Sequence, residues 1–116
     1  MSHGDLYGHN IMCSQDGTAL LGDFGAATIY CSCVADDGSS VVGCSSEMSE
    51  QLQRIEVRAL GILILELLSI VKDRSGCNVM ERMTIIANSC ISESCNERPL
   101  FAAVDEDLKR LIAEFV

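Results

Sequence analysis

Four residues near the start of the chain could do chemistry together: His3, Asp5 and Asn10 in SHGDLYGHN, and Asp23 in LLGDFG. Asp5 and Asn10 sit in a segment that also holds Gly4 and Gly8. Such a segment can turn sharply and bring both oxygen-bearing side chains to one side. Asp23 lies beyond a hairpin signal and is followed by Phe24 and Gly25. A hairpin returns the chain to where it began, so the end of its second strand lies beside the start of the first, and Asp23 comes next to Asn10. Two carboxylates and an amide oxygen that converge in this way suit a hard cation such as Mg²⁺, which keeps several waters and fills its shell with nucleotide phosphate oxygens. The plain alternative is that these are turn residues, since Asp, Asn and Gly dominate turns for reasons of backbone geometry alone.

Composition bounds what these residues could serve. A net charge of −9 repels phosphate backbones and anionic lipid, which argues against nucleic acid and membrane surfaces as partners. A phosphate ligand would need a metal ion between itself and so acidic a chain. With 116 residues, 48% of them hydrophobic, the chain is one domain or part of one. It can bury about two thirds of its extended surface. Seven cysteines, an odd number, with no basic-then-apolar leader pattern at the start, predict reduced thiols and a cytoplasmic protein. Cys31-x-Cys33 with Cys44 offers three thiolates, but a zinc site needs four ligands at convincing spacing. Cys13, Cys77 and Cys90 read as small buried hydrophobes.

The elements that must position the four residues follow from local patterns. Apolar runs at residues 10–13 and 18–22 flank Ser14-Gln15-Asp16-Gly17, whose Asp-Gly pair has the turn chemistry of a β-hairpin. Residues 31–50, rich in Ser, Gly, Asp and Cys, predict a long surface loop. Residues 51–71 predict a long helix. Within it ALGILILELLSIV is far shorter than a membrane span of about 20 residues and carries Glu66 at its middle. A helix apolar on every face belongs inside a protein, with the rest of the domain around it. Further helices are expected at residues 79–87 and 100–115. In the latter, Pro99 suits the first turn, and Val104, Leu108, Leu111 and Phe115 share one face. The expected fold is mainly α with a small β-hairpin, an α+β arrangement.

At these residues the chain resembles a known family. HGDLYGHN is similar to the catalytic loop of protein kinases, His-Arg-Asp-Leu-x-x-x-x-Asn, and Asp23-Phe24-Gly25 to their Asp-Phe-Gly motif, at the family's spacing. Glu56-Val57-Arg58-Ala59-Leu60-Gly61 resembles the start of the long buried helix of the kinase C-terminal lobe, Asp-Val-Trp-Ser-Phe-Gly. CISESCNERPLF resembles the Cys-Trp-x-x-x-Pro-x-x-Arg-Pro-x-Phe stretch of tyrosine and tyrosine-like kinases at Cys90, Arg98, Pro99 and Phe101. Four motifs in the family's order span nearly the whole chain.

The resemblance implies a role for each residue. Asp5 would be the catalytic base that accepts the proton of a substrate hydroxyl. Asn10 and Asp23 would hold Mg²⁺ and, through it, ATP. His3 would support the loop, Phe24 would pack beneath the site, and Gly25 would let the following segment swing. Glu56 stands in for an Asp that accepts backbone hydrogen bonds from the catalytic loop. Arg98 would pair with the Glu of an Ala-Pro-Glu motif, for which Glu47 is the nearest candidate, and residues 31–50 would be the activation-segment-like loop.

The departures shape what to expect. Gly4 replaces an Arg that in many kinases grips a phosphorylated activation loop, and His-Gly-Asp is the form seen in aminoglycoside and choline phosphotransferases. Tyr7 stands where Ser/Thr kinases place a Lys near the transferring phosphate, and it cannot supply that positive charge. The Gly-rich loop, the strand Lys and the helix Glu of the family have no counterpart here. The resemblance therefore implies a partial kinase domain over residues 1–116, without its N-terminal lobe, and weak or no transfer by these residues alone. It also implies an uncovered apolar strip on the long helix that invites a partner, either an N-terminal lobe or another protein. Three functions follow: transfer from MgATP to a protein hydroxyl, a non-catalytic pseudokinase-like interaction module, and a small-molecule kinase of the aminoglycoside or choline type.

Overall fold

The computed structural model describes residues 1–28, 46–73 and 77–115, and the side chains of Ser46, Glu47 and Cys77 are outside that description. Within it the chain is mainly helical, with one two-stranded antiparallel sheet. Strands β1 (Ile11–Cys13) and β2 (Ala19–Leu21) pair Ile11 with Leu21, Met12 with Leu20 and Cys13 with Ala19. The loop between them closes on itself. Ser14 N–H donates to Thr18 O at 2.9 Å and Gly17 N–H to Ser14 O at 3.1 Å, while Thr18 N–H and the Ser14 hydroxyl both donate to Asp16 Oδ1. Those donors favour the charged carboxylate, so the exposed Asp16 has its pKa lowered from 3.8 to about 2, the Ser14 hydroxyl contributing most.

Three helices follow: α1 (Ser46–Ile70), α2 (Cys77–Cys90) and α3 (Phe101–Phe115). The long helix thus begins five residues earlier than the sequence pattern suggests, and residues 46–50 belong to it and not to the preceding loop. Glu47, Met48 and Glu50 are good helix formers, while the two serines and two glutamates of residues 46–50 give the segment the polarity of a loop. The rest of the expected loop, with Cys31, Cys33 and Cys44, lies outside the described residues. Pro99 sits two positions ahead of α3, outside its first turn. There the Gln53 side chain of α1 accepts the Phe101 N–H at 2.6 Å, satisfying a donor the helix itself cannot.

The core forms where the helices meet. Val57, Cys90 and Val104, one from each helix, are almost wholly buried, with Leu60, Ile86, Phe101 and Leu108 packed around them. Gly61 makes the α1–α2 crossing possible. A Cβ there would lie 2.7 Å from Cys90 Cβ and 2.7 Å from Ile91 Cγ2. Leu111 continues the buried face of α3, but Phe115 at its end is 46% exposed.

Two expectations are corrected by this packing. The long helix is not enclosed: Val57, Gly61 and Ile64 are buried, but Ile55, Leu67 and Ile70 are 61%, 52% and 70% exposed. An all-apolar run states that a helix can be buried on every side, whereas the number of neighbours decides how many sides are. Cys13 is exposed and not a core residue, since among the described residues β1 pairs only with β2 and belongs to no buried cluster, while Cys90 is buried as expected. Cys13, Cys90 and Cys95 carry free thiols. Among the described residues, no helix is long and apolar enough to cross a membrane.

Candidate functional site

The segment that carries His3, Asp5 and Asn10 is tied down at both ends. At the front, Ser2 pairs with Thr28 through two backbone hydrogen bonds, Ser2 N–H to Thr28 O at 2.8 Å and Thr28 N–H to Ser2 O at 2.9 Å. At the back, a single 3-10 turn over Gly8–Asn10 leads directly into β1. Between them Gly4 adopts φ +79°, and a Cβ on it would meet the Ala26 carbonyl oxygen at 2.5 Å. Only glycine fits there. A resemblance that assigns an Arg to this position gives no hint of that steric reason.

Glu56, 8% exposed, reaches this segment from α1. Its Oε1 accepts the Gly4 N–H at 2.8 Å, and its Oε2 accepts the Ser2 hydroxyl at 2.5 Å. A buried carboxylate needs such donors, because an unpaired charge in the interior is costly. The bonds span 52 and 54 positions of sequence. They join the loop to the helix that anchors the core. Sequence reasoning finds Glu56 and misses Ser2, since a serine that precedes a His-Gly-Asp triplet carries no signal of its own.

The second carboxylate segment is held by the first. Gly22 is gripped at both backbone groups: its N–H donates to Asn10 O at 2.8 Å, and its carbonyl accepts the His3 Nε2–H at 2.7 Å. The His3 proton is assigned from its partners. A carbonyl can only accept, so Nε2 carries the hydrogen, and Nδ1 is left to accept the Asp5 N–H at 3.3 Å. His3 thereby supports the loop from within. Its buried ring links Asp5 on one side to the residue before Asp23 on the other.

Asp23 itself has φ +56°, the only positive φ outside glycine among the described residues. Side-chain-bearing residues leave that conformation unless their surroundings hold them in it, and such outliers cluster at functional sites. Here the grip on Gly22 comes before Asp23, and the Gly25 N–H donates to Asp23 Oδ1 at 3.4 Å after it. Phe24 stands edge-on to the His3 ring, centroids 5.1 Å apart, and is still 52% exposed, so it flanks the site more than it lies beneath it.

Asn10 is buried, with its side-chain nitrogen turned toward Asp5. Nδ2 donates to the Asp5 backbone oxygen at 2.8 Å and lies 3.3 Å from Asp5 Oδ2. This orients the amide, and among the described residues its Oδ1 has no hydrogen-bond donor. Asp5 and Asp23 are both exposed. The loop and the segment after β2 therefore present two exposed carboxylates and one oriented amide oxygen, a hard-oxygen set. Mg²⁺ binds through few protein ligands and takes the rest from water and phosphate, so these three residues fit it. Among the described residues, no three His, Cys, Asp or Glu side chains form a metal cage, and the candidate set depends on the asparagine.

Arg98 serves the scaffold. Its Nε donates to Ser92 O at 2.8 Å and its Nη1 to Arg54 O at 3.3 Å, while Arg54 Nε returns a bond to Arg98 O at 3.1 Å. Its expected partner, the Glu47 side chain, lies outside the described residues. Compared with known proteins, the chain matches no family model and no curated protein sequence.

Proposed function

We propose that the chain is the C-terminal lobe of a kinase-like phosphotransferase and acts in γ-phosphoryl transfer from MgATP to a protein hydroxyl. The observation that supports this best is the pair of bonds from Glu56 of α1 to Ser2 and Gly4 of the loop. They give the His-Gly-Asp segment the rigid backing that a catalytic constellation needs. The four ordered motifs supply the rest of the support.

In this reading Asn10 and Asp23 hold Mg²⁺, which neutralises charge on the phosphates when bound. Asn10 is suited to that because its nitrogen is committed to Asp5, so that its amide oxygen is the atom that would hold the ion. Asp5 orients the acceptor hydroxyl and takes its proton as the oxygen attacks the γ-phosphorus and the bond from that phosphorus to the bridging oxygen breaks, releasing ADP. His3 keeps Asp5 and Asp23 in one frame. The His-Gly-Asp spelling does not favour small-molecule transfer, since Gly4 has its own steric cause. These 116 residues hold no Gly-rich loop and no strand lysine, both of which clamp the phosphates in the family, so transfer by them alone is slow.

A second reading, a non-catalytic interaction module, is favoured by one observation. Beside the loop lies an open cavity of about 450 Å³ lined by Tyr7, His9, Leu63, Glu66, Leu67 and Ile70. Titration with ATP in Mg²⁺ and in EDTA separates the two. Phosphotransfer predicts Mg²⁺-dependent binding that weakens about tenfold or more in Asp23→Ala. Absence of binding at millimolar nucleotide even with a kinase N-terminal lobe supplied, or equal binding in EDTA, refutes it and leaves the interaction module. Turnover by the isolated chain at ordinary kinase rates of roughly 1–100 per second would refute the claim of slow transfer.

A further inference from the structure

We propose that Ser2 is a positioning residue whose hydroxyl locks the buried Glu56 carboxylate in the one orientation that receives the Gly4 N–H, and so fixes Asp5. The role assigned to Asp5 rests on the phosphotransfer reading above.

Glu56 carries one more methylene than an Asp at this position would. That methylene adds one more rotatable torsion ahead of a last torsion that is broad in Asp and Glu alike, so the Glu56 carboxylate is freer to swing. Two donors from the loop remove that freedom. Ser2 O–H takes Oε2 at 2.5 Å, and with that oxygen held, Oε1 can only face the Gly4 N–H, which it meets at 2.8 Å. Gly4 directly precedes Asp5 and is pressed against the Ala26 carbonyl, so it has little room to follow a wandering partner. Ser2 is itself immobilised by its two backbone bonds to Thr28, on the chain that leads out of Asp23-Phe24-Gly25. One hydroxyl thus couples the segment after Asp23, the loop that carries Asp5 and the carboxylate of α1.

The bond is also open to a conservative test. Ser2, Gly4, Leu6, Ile55, Glu56 and Ala59 line a cavity of about 190 Å³, which has room for the extra methyl of threonine. A threonine keeps the hydroxyl and suits the extended pairing with Thr28.

The test compares wild type, Ser2→Ala and Ser2→Thr by the amide signals of Gly4 and Asp5 and by MgATP titration. Thermal unfolding serves as the measure of overall structure. In Ser2→Ala the Gly4 amide proton moves upfield and exchanges with solvent faster, the Asp5 amide shifts with it, and MgATP affinity falls about tenfold. In Ser2→Thr both amide signals and the affinity return to within about twofold of wild type, the variation expected of a mild core change. If Gly4 and Asp5 amides are unchanged in Ser2→Ala, the lock does not exist. The same holds if a folded Ser2→Thr behaves as the alanine variant does. If wild type binds no MgATP even with a kinase N-terminal lobe supplied, the phosphotransfer reading fails, and the amide signals alone still decide whether Ser2 sets Asp5.

Discussion

Replacing Gly4 by alanine tests the geometry of the whole site in one residue. The new Cβ would sit 2.5 Å from the Ala26 carbonyl oxygen, against an ordinary contact of 3.4 Å or more, so loop and Ala26 segment must part by about 0.9 Å. No side-chain rearrangement can supply that space, because the obstacle is backbone. The φ of +79° adds a further cost of about 1–2 kcal/mol for a residue with a Cβ. A shift of that size disturbs the 2.8 Å bond to Glu56, and losing a hydrogen bond to a charged group costs about 1.5–3 kcal/mol. The terms overlap, and a total of about 2–4 kcal/mol follows. For a domain of this size that corresponds to a fall in Tm of roughly 8–16 °C. Urea unfolding followed by far-UV circular dichroism reads the first quantity and thermal unfolding the second. Gly4→Arg, which restores the residue found in many kinases, should be no more stable than Gly4→Ala. Stability within about 0.5 kcal/mol of wild type in either variant, the range of an ordinary surface change, would refute the close approach and the backbone geometry together.

Three other consequences can be measured directly. Gly61→Ala gains helix propensity of about 1 kcal/mol but forces α1 from Cys90 and Ile91, an overpacking cost of about 1–3 kcal/mol. Urea unfolding should show net destabilisation, and a more stable variant would contradict the crossing. The Asp16 carboxyl titrates near 2, below its ordinary 3.8, so its contribution to the hairpin is present above about pH 3.8 and lost as pH falls toward 2. In Ser14→Ala the midpoint read by carboxyl NMR should rise toward 3.8, and an unchanged midpoint would remove the hydroxyl as its main cause. Burial pushes the Cys90 thiol up, while Cys13 is exposed. Peptide mapping after brief alkylation of the native protein should find Cys13 labelled and Cys90 spared, and equal labelling would deny the burial of Cys90.

What could be read from residues alone divides along physical lines. The hairpin was legible because the Asp-Gly turn and its flanking apolar runs are local signals, and Ile11 and Leu21 pair much as that pattern requires. The three helices were legible in kind and shifted at their ends, since Ser46–Glu50 is as polar as a loop while its residues favour a helix. The open side of α1, where only the resemblance implied an uncovered strip, was not legible in its hydrophobic pattern, which says what a surface prefers and nothing of whether another element reaches it. The same holds for Ser2 and Gln53, whose bonds to Glu56 and Phe101 cross 54 and 48 positions and exist only once the helices are packed. Gly4 is the most instructive case. Compared with protein kinases it is a missing arginine, which suggests a lost grip on a phosphorylated loop. In the fold it is the residue that lets the Ala26 segment lie against the loop carrying Asp5, and this brings Asp23 close enough for His3 to join the two. The glycine therefore bears on how the site is assembled, and a regulatory inference from the absent arginine has to allow for that steric demand first.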